Sequence, residues 1–231
     1  MTVERSSPRA NIYIDGFNLY HGCFDNFIDR PHWRQYRWLD VHALCRNFCV
    51  GYTIGRIRYF TALVDEMPPG DPANRERQLV YWRALRTIQH LTIHEGKFAT
   101  NAKWRPLADP SAPKSKPTLL LPVRTAYIIE REEKGSDANL ASYLLLDAFK
   151  EEYELAVIVS NDFDLAEPIQ LVRNEFGRQV CIVNPRKKIA RGLQGIADHY
   201  MNVRFEMVKQ AQFAPTLTDA NGTFRKPDRW N

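Results

Sequence analysis

The chain has 231 residues, of which 44% are hydrophobic and 26% are charged. These fractions are close to those of ordinary soluble globular proteins, so they exclude a disordered or fibrous chain. The net charge of +5 is compatible with a polyanionic partner such as nucleic acid, although many basic proteins bind none.

Targeting signals and cysteine spacing bear on the compartment. The sequence contains no run of about 20 apolar residues, which a membrane helix requires, and residues 1–10 lack the apolar core of a secretory signal. The four cysteines, Cys23, Cys45, Cys49 and Cys181, show no paired spacing of the disulfide-scaffold kind. These observations predict a soluble, cytoplasmic protein with no membrane partner.

The first part of the chain predicts strands that alternate with helices. Residues 11–15 (NIYID) are a short apolar run that ends in a carboxylate before Gly16, as a buried strand entering a turn does. Asp40 is a candidate N-cap for the first predicted helix. In chain order, the predicted elements are a strand at 11–15, a helix at 41–48, a strand at 56–64, a helix at 73–90 and a strand at 91–98.

The second part continues the alternation after an interruption. Residues 99–122 hold five prolines and four basic residues, which predicts an irregular insertion. Residues 209–231 are polar, with two prolines, and predict a loosely ordered C-terminal tail. Between them, the predicted elements are a helix at 136–150, a strand at 155–159, a helix at 165–176, a strand at 179–183, a short helix at 189–197 and a strand at 200–205.

This alternation predicts the fold class. Strands alternating with helices give an α/β fold with a central, mostly parallel sheet and helices on both faces. Residues 1–208 are predicted to form a single domain that carries the insertion. Right-handed crossovers place the carboxyl ends of all parallel strands at one edge, where open α/β sheets bind ligands.

Four aspartates are predicted to meet at that edge. Asp15 ends the first strand, Asp162 and Asp164 follow the strand at 155–159, and Asp137 begins the helix before it. Crowded carboxylates repel one another, so such a cluster needs protonation, basic partners or a cation. Taken singly, each aspartate is also an ordinary turn or cap residue, and Asp164 could N-cap the next helix.

A divalent metal is the simplest partner for such a cluster. Hard oxygen ligands favour Mg²⁺ or Mn²⁺ over Zn²⁺. One or two of these ions would activate a water and polarise a phosphoryl oxygen, which is the chemistry of phosphodiester hydrolysis.

Three segments resemble the motifs of NYN domains, a branch of the PIN-like nucleases that includes the LabA/DUF88-like proteins. They are IDGFNL at residues 14–19, KGSD at 134–137 and VSNDFD at 159–164, and they occur in the family's order. The resemblance implies a PIN-like three-layer α/β/α sandwich and, for most members, ribonuclease activity. It carries metal-site roles onto Asp15, Asp137, Asp162 and Asp164, with Asn18 and Ser160 as polar supports. Asn161 and Phe163 depart from the pattern, which has glycine and a small residue there.

Basic residues near the predicted edge are further candidates. Lys134 could neutralise charge in the transition state, or could be a solvated lysine in a charge run with Glu132 and Glu133. A nucleic-acid backbone could be bound by the basic cluster, or the cluster could be a solvated helix start. The basic cluster is Arg186, Lys187, Lys188 and Arg191.

Aromatic and basic residues also interleave in two segments, as they do in proteins that stack single-stranded bases. Packing in the core or in a homodimer is the alternative. The residues concerned are Trp33, Tyr36, Arg37, Trp38, Trp104 and Arg105.

The predicted function is that of a Mg²⁺- or Mn²⁺-dependent endoribonuclease, a hydrolase acting on RNA that is expected to be single-stranded. One alternative is an NADH-dependent monooxygenase that hydroxylates a pyridine such as 6-hydroxy-3-succinoylpyridine in nicotine degradation, but no G-x-G-x-x-G motif follows a strand to bind a dinucleotide. The other alternative is a catalytically silent module that binds RNA or protein.

Overall fold

The computed structural model describes residues 7–24, 31–64, 71–113 and 116–230. The strands in these ranges are β1 (Arg9–Asp15), β2 (Thr53–Thr61), β3 (Leu91–Glu95), β4 (Lys97–Pro106), β5 (Thr125–Lys134), β6 (Leu155–Val159), β7 (Gln179–Asn184), β8 (His199–Asn202), β9 (Thr216–Asp219) and β10 (Gly222–Arg225). The α-helices are α1 (Gly16–Phe24), α2 (Val41–Cys45), α3 (Ala73–Leu85), α4 (Ser136–Phe149), α5 (Ala166–Asn174) and α6 (Phe205–Gln210). No helix in the described ranges has both the length and the apolar character that a membrane crossing requires.

A six-stranded sheet in the order β3-β2-β1-β6-β7-β8 organises the chain. Every neighbouring pair in it is parallel, and β1 lies between β2 and β6, with Ile14 opposite both Tyr59 and Val159. All five residues of β6 are buried, as expected for a central strand covered on both faces. The predicted α/β class with a mostly parallel sheet is confirmed.

Helices cover both faces of this sheet because side chains alternate along each strand. Ile12 and Ile14 of β1 point into one core, which α2 and α3 close with residues such as Leu44 and Leu85. Tyr13 points into a second core, which α4 and α5 close. The arrangement is therefore the predicted three-layer α/β/α sandwich.

The second core contains a buried ion pair. Arg58 of β2 donates to both oxygens of the Asp147 carboxylate on α4, from Nε at 2.7 Å and from its terminal nitrogen at 2.8 Å. Tyr13 donates its hydroxyl proton to the same carboxylate at 2.8 Å. Because the Asp147 side chain is only 2% exposed, these donors replace the water that it loses on folding.

β4 and β5 pair as a two-stranded antiparallel arm, a name used below for the described residues of 97–134. The register runs from Lys97 opposite Lys134 to Pro106 opposite Thr125. The irregular insertion predicted at 99–122 is therefore wrong for its first part. The other prolines lie beyond the strands, and Pro106 occupies the last position of β4, where a missing N–H is tolerated.

The C-terminal segment differs from the loosely ordered tail that its polarity predicts. β9 and β10 form a hairpin, and Trp230 is 8% exposed against the rings of Trp38 and Tyr81. Arg83 of α3 binds both oxygens of Asp219 at 2.7 Å, which fixes the hairpin to the first core. These long-range contacts order the C-terminal segment although its composition is polar.

The boundary at residue 208, and the single domain that it defines, stay a prediction.

Candidate metal centre

Asp15 lies at the carboxyl end of β1 and is 5% exposed. Its carboxylate accepts hydrogen bonds from the backbone N–H of Asn18 at 2.8 Å and from the hydroxyl of Ser160 at 3.0 Å. The next residue, Gly16, permits a close approach of β2, because a Cβ there would lie 2.7 Å from the ring of Tyr59. The I-D-G motif thus places a buried carboxylate at the start of α1.

Asp162 reaches the same place from the end of β6. Its backbone N–H donates to the Ser160 hydroxyl at 3.1 Å, which connects it to Asp15 through one side chain. Its Oδ1 accepts the backbone N–H of Asp164 at 3.0 Å, so Asp162 caps the short 3₁₀ turn that follows. Asp164 lies inside that turn, so it does not cap the next helix.

Asp137 lies in the first turn of α4. Gly135 precedes the helix with φ of 102°, a left-handed conformation that glycine adopts without strain. Ser136 does not cap the helix with its own hydroxyl. Instead, the Glu133 carboxylate accepts the Ser136 backbone N–H at 3.2 Å and its hydroxyl at 2.9 Å. The Asp137 carboxylate, in the first turn of α4, lies near those of Asp15 and Asp162.

Oxygens of Asp15, Asp137 and Asp162 lie within 4.8 Å of one another. Burial raises the pKa of the Asp15 carboxyl, with a further contribution from the charge of Asp162, while hydrogen bonds from Asn18 and Ser160 oppose the rise. Burial, followed by the charges of Asp15 and Asp162, raises the pKa of Asp137 to about 6. These three residues are called the acidic cluster below.

The acidic cluster fits a divalent cation. Among the described residues, no lysine or arginine forms an ion pair with any of its three carboxylates. The part of the chain that the structure describes therefore supplies no cation to offset the mutual repulsion of these carboxylates. Their donors are all hard oxygens of the kind that bind Mg²⁺ or Mn²⁺.

Two predicted site residues stand apart from the acidic cluster. Asp164 is exposed, and its oxygens are not within the group of three. Lys134, at the end of β5, forms an ion pair with Glu132, with 2.6 Å between Nζ and Oε2, and 63% of its side chain is exposed. Their assignment to the site stays a prediction.

Asn161, which departs from the family motif, connects the acidic cluster to the basic cluster. Its side chain donates to the Lys188 carbonyl at 3.1 Å and accepts from the Ala190 N–H at 2.8 Å, and its own N–H donates to the Asn18 side chain at 3.2 Å. Glycine could make neither side-chain contact. Asn161 therefore fixes the loop after β7 beside the acidic cluster.

The basic cluster borders a depression next to the carboxyl end of β7. Lys187, Lys188 and Arg191 line a cavity of about 550 Å³, together with Asn184 of β7. Arg186 is exposed and lies outside this lining. Sequence reasoning found these basic residues but missed Asn161 as the residue that positions them.

In the metal-free protein, the contribution of Asp137 to the free energy of unfolding is expected to fall as the pH rises from 3.8 through about 6. The pKa of Asp137 in the folded state, about 6, is above its ordinary value of 3.8, so the folded state retains this proton longer than the unfolded state does. The resulting stabilisation is complete below the unfolded pKa and is lost as the pH passes the folded pKa. Urea unfolding in EDTA across this range measures the loss.

The same unfolding experiment is repeated with a variant and with added metal. Asp137→Asn should flatten the fall, and saturating Mg²⁺ should oppose it because the ion binds only the folded state. A fall that Mg²⁺ leaves unchanged would argue against a metal at the acidic cluster.

Two comparisons with individual proteins are informative. A protein of Pseudomonas putida named 6-hydroxy-3-succinoylpyridine 3-monooxygenase HspA is 26% identical over an alignment that covers 99% of this chain and 77% of that protein. A crystal structure of a protein of unknown function from Vibrio parahaemolyticus superimposes with a TM-score of 0.54 at 11% identity, covering 88% of this chain and 97% of that chain. At that identity the second likeness shows the fold alone.

The sequence profile of the NYN domain matches residues 9–204, which include β1 to β8 and the whole acidic cluster. The match covers most of the chain and agrees with its PIN-like architecture. The chain belongs to the NYN domain family of the PIN-like nuclease superfamily.

Proposed function

We propose that the protein is a Mg²⁺- or Mn²⁺-dependent endoribonuclease. The observation that carries the proposal is the meeting of the Asp15, Asp137 and Asp162 oxygens within 4.8 Å, without a cationic partner among the described residues. Membership of the NYN family, within a nuclease superfamily, supports the same reading. A cytoplasmic location belongs to this proposal.

The three carboxylates of the acidic cluster would hold the ion. When bound, Mg²⁺ or Mn²⁺ polarises a phosphoryl oxygen and makes an attacking water more acidic. Asn18 and Ser160 orient the Asp15 carboxylate, and Asn161 holds the loop that carries the basic cluster, which would bind phosphates of the RNA. Lys134 is a further candidate, which would have to release Glu132 to contact a phosphate.

The reaction is hydrolysis of a phosphodiester. Water adds to phosphorus and gives its proton to solvent, while the bond to the 3′ oxygen breaks and that oxygen takes a proton. The products carry a 5′ phosphate and a 3′ hydroxyl.

The arm supports a single-stranded nucleic acid as the partner. Residues 97–134 contain eight Lys and Arg against four Asp and Glu. Trp104 and Tyr127 share one face, with ring centroids 5.3 Å apart and 65% and 62% exposure. At the base of this face, Phe98 contacts Phe17, which follows Asp15 by two positions. Exposed rings and positive charge are the features by which proteins bind single strands.

The experiment that tests the proposal is cleavage of an end-labelled single-stranded RNA by the purified protein with Mg²⁺, with Mn²⁺ or with EDTA. We expect cleavage with either metal and no cleavage in EDTA. The products should carry a 5′ phosphate. Single-stranded DNA and duplex RNA of the same sequence test the substrate class. RNA binding without cleavage in any metal would instead support the silent binding module.

Trp104→Ala is expected to weaken binding of single-stranded RNA by roughly 5- to 150-fold, because stacking on an aromatic side chain contributes about 1–3 kcal/mol per base. Fluorescence anisotropy of labelled RNA, measured in EDTA to prevent cleavage, gives the affinity. Val123→Ala is the control, since Val123 is 56% exposed on the same arm but offers no ring. If instead the arm joins two copies of the chain, Trp104→Ala will lower the mass in solution and leave RNA affinity unchanged.

A second candidate function is hydroxylation of a pyridine. Its support is the 26% identity to the Pseudomonas putida protein named a 6-hydroxy-3-succinoylpyridine 3-monooxygenase, together with an aromatic cavity next to the acidic cluster. Bound flavin in the absorption spectrum, and NADH oxidation that depends on the pyridine and on O₂, would favour this function over cleavage.

A further inference from the structure

A second cavity lies beside the acidic cluster, on the side away from the basic cluster. It has a volume of about 200 Å³ and is lined by Gly16 and Phe17 of α1, by Tyr59 and Thr61 of β2, and by Trp82 of α3 and Trp230. Drug-sized ligands occupy cavities of about 300–1,000 Å³, so this one suits a single planar ring or a base.

The hydroxyl of Tyr59 is a polar group in this apolar cavity, and the described part of the chain supplies no partner for it. Tyr59 is 6% exposed, and none of the described residues forms a hydrogen bond with its hydroxyl. A tyrosine hydroxyl can donate and accept a hydrogen bond, so this group is available to a ligand or a water in the cavity.

Two other polar groups of the lining, on Gln78 and Tyr81, are already engaged. Gln78 donates to the Ala62 carbonyl at 2.9 Å and accepts from the Val64 N–H at 2.8 Å. Tyr81 donates its hydroxyl to the Leu39 carbonyl at 2.8 Å. These bonds hold the walls of the cavity in place and leave the Tyr59 hydroxyl available for a ligand.

We propose that this cavity binds a planar heteroaromatic ring through the Tyr59 hydroxyl, and that the ring is an unstacked base of the RNA being cleaved. The second part rests on the proposed function. Gly16 and Phe17, which line the cavity, follow Asp15 directly in the chain, so a base in the cavity and a phosphate at the acidic cluster belong to neighbouring positions of one strand. The aromatic face of the arm reaches Phe17 through Phe98, which continues the path of the strand.

Two of the lining residues are tryptophans, so ring binding can be measured without catalysis. Intrinsic fluorescence is titrated in EDTA with each of the four ribonucleoside 5′-monophosphates, with ribose 5-phosphate, and with a hydroxypyridine that carries no sugar or phosphate. We expect at least one nucleotide and the hydroxypyridine to bind, and ribose 5-phosphate to leave the fluorescence unchanged.

Tyr59→Phe should weaken this binding by about three- to tenfold, because it removes one hydrogen bond. Tyr52→Phe is the matched control: it removes a tyrosine hydroxyl that bonds Gln179 near the opposite end of β2, and it should bind as the wild type does. Val64→Phe, at the cavity wall, should abolish binding by filling the space.

The outcomes separate this inference from the proposed function. If no ring compound binds, or if Tyr59→Phe and Tyr52→Phe bind alike, the cavity is not a ring site, whether or not RNA is cleaved. If the hydroxypyridine binds and no nucleotide does, the assignment to a base is overturned and the ring site remains. Tyr59-dependent nucleotide binding in a protein that cleaves nothing would support the site and refute only the nuclease.

Discussion

Asp162→Asn is expected to reduce metal-dependent RNA cleavage by roughly 10³-fold or more, which corresponds to about 4 kcal/mol in the barrier. The substitution removes one of three charges from the acidic cluster but preserves the shape of the side chain. An amide oxygen can still accept the Asp164 N–H, so the 3₁₀ turn after β6 should persist. Initial rates at saturating Mg²⁺ measure the loss, and circular dichroism establishes that the variant is folded.

Asp164→Asn is the control for this prediction and also tests the fourth metal ligand that the motif implies. Asp164 is exposed and its oxygens lie outside the group of three, so we expect a loss of less than about tenfold. A loss equal to that of Asp162→Asn would instead place Asp164 among the ligands. If Asp162→Asn cleaves as the wild type does, the activity does not arise at the acidic cluster.

Arg58→Met is expected to lower the free energy of unfolding by about 3–5 kcal/mol, because it leaves a buried carboxylate without its cation. Arg58 holds Asp147 through two hydrogen bonds, and its guanidinium lies 4.3 Å from the centre of the Tyr143 ring. Among the described residues, Tyr13 would then be the one remaining hydrogen-bond donor to the Asp147 carboxylate. Urea unfolding at neutral pH measures the difference.

The same strand provides the matched control. Arg56 pairs with Glu152 at 3.1 Å, but 53% of its side chain is exposed, so Arg56→Met should cost less than about 1 kcal/mol. Adding Asp147→Leu to Arg58→Met should recover much of the loss, since it removes the unpaired charge. Equal effects of Arg56→Met and Arg58→Met would contradict a buried pair that stabilises the second core.

The sequence by itself determined the features that depend on neighbouring residues. Apolar runs at residues 11–15, 155–159 and 179–183 predicted strands of the buried sheet, and the structure has strands there. Asp40 was predicted to cap α2, and its carboxylate accepts the Ala43 N–H at 3.0 Å. Because parallel strands end at one edge, strand ends also predicted that Asp15 and Asp162 meet.

Only the tertiary structure decided the features that depend on residues far apart in the chain. The prolines of residues 99–122 led to the prediction of an irregular loop. In the structure, Pro106 ends β4 and the other prolines lie outside the paired strands. Polar composition concealed the packed C-terminal segment, which is held by Trp230 and by the pair of Arg83 with Asp219.

The details of the site were also decided by long-range contacts. Asn161 bonds a loop 27 residues away, and the cavity at Tyr59 is closed by side chains from α1, α3 and the C-terminal segment. No local sequence pattern predicts these long-range contacts, because Asn and Tyr are also common in turns and strands that make no such contacts. The sequence determined which carboxylates lie at the sheet edge, and the tertiary structure decided which groups surround them.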